Sequence, residues 1–299
     1  MTIREVFRLF IQDKTVYCSS ETISTYKSHI VNYLSWLESY AATFSELPEE
    51  LHPVTGYVLH LKEINPEIRN TSILSYCRTI KSFLRWSYEN DYCPDYLKKL
   101  KLPKPDNEPE LPLLVDEVYK IDKTFDCNTI KGMRNYCIVH LMLDCGLRSQ
   151  EVRHLKVEHL VPERNLLHIK DSKGKKSRII LCPDFMFECI RKYMDMAGRS
   201  FGFIFLSLKR DTPLTEEAIK KVFQNLKHDT GIDRVHAHLC RHTFATSYLL
   251  GGGNLEFLRV FLGHSDYDVT KVYTETAALC QMLGLKVYML DDLYFKRGY

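Results

Sequence analysis

His238-Leu239-Cys240-Arg241-His242-Thr243-Phe244-Ala245-Thr246 opens the stretch whose reading decides the fold, and that stretch runs to Tyr273. His238 and Arg241 stand three apart at a helix start, a spacing that sets both side chains on one face. Apolar spacing over Arg241–Leu250 predicts a helix, and Gly251-Gly252-Gly253 ends it. That glycine run has no strand before it and no Lys-Ser/Thr after it, so it reads as a turn and not as a phosphate cradle. Leu255–Leu262 predicts a second helix. Gly263 and His264 follow it, twenty-three residues after Arg241, and nine residues later comes Tyr273 in Val272-Tyr273-Thr274. Upstream, Gly146-Leu147-Arg148-Ser149-Gln150-Glu151 puts a second arginine just past an apolar helix over Met133–Leu143.

Further out, helices are predicted around Val115–Thr124, Phe185–Met196 and Glu216–Thr230, with one interruption. Leu166–Lys170 and Arg178–Leu181 are short runs of β-branched or long aliphatic residues, separated by Asp171-Ser172-Lys173-Gly174-Lys175-Lys176-Ser177. They read as a β-hairpin with a basic turn. The last stretch, Leu279–Leu293, is apolar at helical spacing and reads as a tail helix that serves the core or docks on another protomer. Towards the N-terminus, Lys101–Pro112 (KLPKPDNEPELP) holds four prolines, which remove backbone donors and discourage a packed element, so 103–112 is taken as a linker. Before it, Ser20–Leu37 and Asn70–Tyr88 are amphipathic, with Ile73, Leu74, Cys77, Ile80, Leu84 and Ser87 on one face of the second. The expectation is a mainly α protein with a small antiparallel sheet: a helical domain over 1–102, the linker, and a second domain over 113–299.

Composition suits this reading. The 299 residues are 45% hydrophobic, enough for two cores, and no apolar run approaches the ~20 residues a membrane helix needs. The ten cysteines form no C-x-x-C pair and several lie in apolar stretches, which favours reduced thiols and a cytoplasmic setting. A net charge of +3 is a weak sign of a nucleic-acid partner, but its distribution says more. Arg78, Lys81, Arg85, Lys98, Lys99, Lys101 and Lys104 stand against Glu89, Asp91 and Asp95, and the helix residues Arg78, Lys81 and Arg85 are candidate DNA contacts.

Two arginines, two histidines, a lysine on a turn and a phenol suit one phosphodiester. Each guanidinium can fork onto phosphate oxygens, and cations fixed in a shielded site stabilise the added charge of a pentavalent transition state. A tyrosine can attack phosphorus and be displaced later, which conserves the bond energy in a phosphotyrosine. No metal or other cofactor is called for. Zinc ligation by His238, His242 and His264 is disfavoured by the intervening cation Arg241 and by the lack of a thiolate or carboxylate to complete the set.

The boxes, in order, resemble the tyrosine recombinase family of phage integrases and Xer-type enzymes: G-L-R-x-x-E at Gly146–Glu151, the hairpin around Lys173, H-x-x-R-H at His238–His242, L-G-H at Leu262–His264, and Tyr273. The resemblance spans Arg148 to Tyr273, and the N-terminal third matches only in size and helical character. It implies Arg148 and Arg241 on the non-bridging oxygens, His264 as a further donor, Tyr273 as nucleophile, His238 managing the tyrosine proton, and Glu151 orienting a cation. Lys173 aligns with the lysine that protonates the leaving 5′ oxygen, with Lys175 and Lys176 as rivals on the same turn. Lys175, Lys176 and Arg178 join the candidate DNA contacts. A two-domain C-shaped clamp on double-stranded DNA with specific core sites is implied, together with a homo-tetrameric synapse, a 3′-phosphotyrosyl intermediate and a Holliday junction. An accessory directionality factor is a further partner, and the short stretch before Thr22 speaks against arm-site binding. We read the role as a mobile-element integrase. An Xer-type dimer resolvase shares every box and stays open, as do a type IB topoisomerase and a non-catalytic DNA-binding regulator.

Overall fold

The computed structural model describes residues 1–106, 109–170, 177–207, 212–263 and 268–290, which are mainly helical with one small antiparallel sheet. The chain divides into two compact units, Met1–Glu108 and Pro109–Tyr299. No helix among the described residues is long and apolar enough to cross a membrane, and no disulfide joins the ten cysteines.

The first unit is four helices: α1 (Ile3–Thr15), α2 (Ser20–Glu38), α3 (Pro53–Ile64) and α4 (Asn70–Glu89). Two of them were not read from the sequence, although both carry start signals. At α1 the Thr2 hydroxyl accepts from the Glu5 N–H while the Glu5 carboxylate accepts from the Thr2 N–H, which satisfies two end donors reciprocally. At α3 Pro53 takes the first helical position, and the His52 imidazole accepts from Val54 and Thr55 N–H. Phe10, Tyr33, Phe83 and Leu37 fill the core, with the Phe10 and Phe83 rings edge to face at 5.4 Å. The apolar face expected on α4 is buried at Ile73, Cys77, Ile80, Leu84 and Ser87, while Leu74 is half-buried.

The second unit holds α5 (Val115–Asp122), α6 (Ile130–Leu143), α7 (Ser149–Arg153), β1 (Leu160–Val161), β2 (Leu166–Ile169), β3 (Arg178–Leu181), α8 (Asp184–Met196), α9 (Glu216–Thr230), α10 (Ala237–Leu250), α11 (Leu255–Leu262) and α12 (Asp268–Met282). The sheet runs β1-β2-β3, antiparallel, with Leu167 opposite Ile180 and Ile169 opposite Arg178. The turn joining β2 to β3, with Lys173, Lys175 and Lys176, lies outside the described residues. Helix α6 is buried from Cys137 to Leu143, so it forms the core against α8 and α10.

Helix α6 ends in a buried polar cluster. His140 bonds Asp144 through Nδ1 (2.6 Å) and Asp122 through Nε2 (2.8 Å), and Tyr288 donates its hydroxyl to Asp144 (2.7 Å). Burial works to lower the imidazole pKa, but the two carboxylates prevail and raise it to about 9.

The tail helix expected over 279–293 does not extend beyond Met282 among the described residues, which run to Leu290. Gly284 takes a left-handed φ of +60°, which ends α12. The backbone that follows pairs with the start of this unit instead: Val287 bridges Leu114, Val115 donates to the Lys286 carbonyl (3.0 Å), and Tyr288 donates to the Leu113 carbonyl (3.1 Å). The end of the Pro-rich segment is held as well. Arg234 donates to the Leu111 and Pro112 carbonyls, and Thr243 Oγ1 accepts from the Leu113 N–H (2.8 Å).

Candidate active site

Arg148, Glu151, Arg178, Arg241, His238 and Tyr273 meet in the second unit, drawn from α7, β3, α10 and α12. Glu151 is the hub. Its carboxylate accepts the Arg148 backbone N–H (2.8 Å) and Arg148 Nη1 (3.1 Å), takes a fork from Arg178 at 2.6 and 2.9 Å, and lies 4.0 Å from Arg241 Nη1. Burial would raise its pKa, yet the Arg178 hydrogen bonds and charge outweigh that and hold it below the usual carboxylate value. Glu151 therefore stays ionised and fixes three guanidiniums.

Backbone carbonyls complete the cradle. Arg241, 2% exposed, donates to the Gly146 carbonyl through Nη1 and to the Leu262 carbonyl through Nη2 (2.6 Å). Arg148 Nη2 donates to the Gly263 carbonyl (3.3 Å), and Arg178 Nε to the Phe261 carbonyl (2.6 Å). Two glycines make these turns possible. Gly146 sits at φ +61° with the Phe244 ring where a Cβ would fall, at 2.6 Å, and Gly263 sits at φ +66° with Arg178 at 3.2 Å from such a Cβ. The glycines of the G-L-R and L-G-H boxes thus deliver carbonyls to arginines from chain segments more than a hundred residues apart.

Arg178, expected among the DNA contacts, is spent internally. Its side chain is 10% exposed and is held by Glu151 and the Phe261 carbonyl, so it positions the site and does not reach outward. Arg148 keeps 42% of its side chain exposed, so its guanidinium also faces the pocket. That cavity, about 540 Å³, is lined by Arg148, Arg241 and His238 together with Lys220, Gln224 and Lys227 from α9. The α9 residues were missed in the sequence reading, though their spacing of four and three along a capped helix is a signal for one exposed face.

Tyr273 is 3% exposed and packs with Phe244, Leu258 and Leu262. Burial raises the phenol pKa, while the Arg241 charge, and then that of Arg148, pulls it down. Burial prevails and the phenol stays above its ordinary value, although both arginine charges oppose the rise. Partial desolvation, then the Arg241 charge, lowers the pKa of His238, which is exposed in the first turn of α10. His264 and the turn lysines fall outside the described residues. In the first unit, Arg78, Lys81 and Arg85 line a depression of about 450 Å³ with Lys14 and Trp86.

A mainly helical unit with a small antiparallel sheet, holding two arginines, a carboxylate hub and a buried tyrosine, defines a class: the chain belongs to the phage integrase family, which it matches over residues 113–279. It is a tyrosine recombinase. The chain is similar to tyrosine recombinase XerD of Staphylococcus aureus, 28% identical over 285 residues that cover 92% of this chain and 94% of that one. Among solved structures it is similar in fold to the Tn1549 transposon integrase in complex with circular intermediate DNA (TM-score 0.69, 19% identity, 95% of this chain and 99% of that one). It is also similar to the XerA recombinase (TM-score 0.51, 24% identity, 94% and 97%).

Proposed function

We propose that this chain binds duplex DNA at specific core sites and exchanges strands through a 3′-phosphotyrosyl intermediate, with Tyr273 as nucleophile and Arg148 and Arg241 on the scissile phosphate. The observation that carries this reading is the Tyr273 phenol lying within the charge field of both arginines while Glu151 and three backbone carbonyls fix those arginines in advance. Preorganised cations need no rearrangement as charge develops on phosphorus, which is where such sites gain most of their rate. Lys173, with Lys175 and Lys176 as rivals, protonates the leaving 5′ oxygen, His264 adds a donor, and His238 lies at the rim of the same pocket. Arg78, Lys81 and Arg85 give the first unit a basic surface for the phosphate backbone.

In the cell the protein works as a homo-tetramer in the cytoplasm, as the integrase of a mobile element, with a directionality factor setting integration against excision. A second reading, resolution of chromosome or plasmid dimers, is favoured by the end-to-end match to XerD relatives. A nicked suicide substrate tests the chemistry: wild type traps a covalent adduct, Tyr273→Phe binds without trapping, and Arg148→Ala or Arg241→Ala slows trapping by at least ~10²-fold. Adduct from Tyr273→Phe overturns the assignment. Mapping the trapped positions on DNA flanking the gene separates element ends from a dimer-resolution site.

A further inference from the structure

Helix α10 carries His238 and Arg241, yet its start is not closed as the starts of other helices are. In α1, α2, α6, α9 and α11 a Thr, Ser or Asn side chain accepts from a first-turn N–H. His236, at the same position of α10, makes no such bond and turns its Nδ1–H back to the Arg234 carbonyl (2.9 Å). A first turn without that bond frays more readily. His238 sits in this turn.

The chain at 110–113 holds the turn instead. It has no regular structure of its own, and side chains from α10 and the loop before it meet its backbone groups. His242 donates to the Glu110 carbonyl, and Thr243 Oγ1 accepts from the Leu113 N–H (2.8 Å). Arg234 donates to the Leu111 carbonyl (2.5 Å) and the Pro112 carbonyl (3.0 Å), and its Nε and Nη2 fork onto Glu117 of α5. From the other side, Tyr288 donates to the Leu113 carbonyl (3.1 Å). One guanidinium, four residues ahead of His238, thus ties this strap to α5 and to the start of α10. The strap also reaches the pocket, because Glu110 brings its carboxylate 3.6 Å from Nε2 of His236 at the rim.

We infer that Arg234 is a positioning residue: by clamping residues 111–112 it holds the first turn of α10, and with it His238 and Arg241, in the geometry that cleavage needs. The inference rests on the strand-transfer reading above. A displacement of about 1 Å at a reacting group can slow a reaction ~10²-fold, so a clamp outside the pocket acts on rate. Arginine suits the task because its rigid fork serves two carbonyls and a carboxylate at once, which a lysine cannot do. A plain ion pair with Glu117, 35% and 21% exposed, would contribute little and would act on stability alone.

Two measurements test the clamp: hydrogen–deuterium exchange of the free protein, and single-turnover trapping on a nicked duplex at saturating DNA. DNA affinity and melting temperature are followed alongside. Arg234→Met removes every donor at similar length, whereas Glu117→Gln removes the ion pair and leaves both carbonyl bonds. Thr243→Val removes the hydroxyl that accepts from Leu113 and takes the place of Arg234→Met if that variant fails to fold. Arg234→Met is expected to speed exchange from Cys240, whose N–H donates to the His236 carbonyl (3.2 Å), to His242 by ~10-fold or more. It should slow trapping by ~10-fold or more while DNA affinity stays within ~3-fold of wild type. Arg234→Lys falls between the two, and Glu117→Gln traps within ~3-fold of wild type despite a lower melting temperature. Unchanged exchange, or trapping within ~3-fold of wild type in the clamp variant, overturns the inference. So does a Glu117→Gln variant as slow as Arg234→Met, which would reduce the clamp to a stability contact. Exchange is read without DNA, so a wild type that never traps strikes the strand-transfer reading, while faster exchange in Arg234→Met still upholds the hold on α10.

Discussion

Glu151→Gln removes one charge and little volume, and the structure sets a magnitude for the loss. Glu151 and Arg178 are only 11% and 10% exposed, and removing one partner of a buried pair costs about 3–5 kcal/mol. Glutamine still offers an oxygen to the Arg148 N–H, so the lower end applies, about 3 kcal/mol, or about 6–12 °C for a unit of this size. The pH dependence carries the sign. Burial pushes the Glu151 carboxyl up but Arg178 pulls it further down, so its folded pKa lies below the ordinary 4.5. A depressed carboxylate contributes stability that is fully present above the unfolded value and is lost as pH falls through the folded one. The gap in urea unfolding free energy between wild type and Glu151→Gln is therefore constant from neutral pH down to about 4.5 and closes below it. A gap under about 0.5 kcal/mol, or one that ignores pH, would refute the hub.

Three further outcomes follow from other parts of the second unit. Gly146→Ala forces a side chain into a left-handed position against Phe244 and should cost about 1–3 kcal/mol in thermal unfolding while slowing cleavage by displacing the residue-146 carbonyl that accepts from Arg241; an unchanged melting temperature contradicts this. His140, raised from 6.5 to about 9, contributes stability present below its unfolded pKa and lost as pH rises through the folded one. Unfolding free energy should thus fall by on the order of 3 kcal/mol between about pH 6.5 and 9 in wild type but not in His140→Asn. Lys227→Ala on α9 should weaken DNA binding for all sequences and reduce the salt slope measured by fluorescence anisotropy by about one; an unchanged slope removes α9 from the DNA-facing surface.

The helices legible in the sequence were those whose apolar period is strong: α2, α4, α9 and α11 lie within a residue or two of their expected bounds. The hairpin was legible too, because β2 and β3 carry aliphatic runs, whereas β1 is two residues long and leaves no period to read. Helix α10 begins four residues before the expected Arg241, which puts His238 in its first turn. The apolar pattern over 279–293 misled because a buried segment that pairs by backbone carries the same residues as a buried helix, and only Gly284 marked the break. At the site, residue types announced the arginines and the tyrosine. Their partners were not announced, since the carbonyls of Gly146, Phe261, Leu262 and Gly263 have no side-chain signature. For the same reason Arg178 read as a surface cation, and the His242–Tyr273 contact, which joins α10 to α12, could not be inferred from spacing.

The most direct measurement is peptide mapping of the trapped protein–DNA adduct by mass spectrometry. Trypsin cuts after Lys271 and Lys286, so Tyr273 falls in one peptide, 272–286, apart from every other tyrosine in the chain. The account predicts that the nucleotide mass sits on this peptide at Tyr273 and vanishes in Tyr273→Phe. Attachment at any of the other tyrosines, or at a serine, would contradict it.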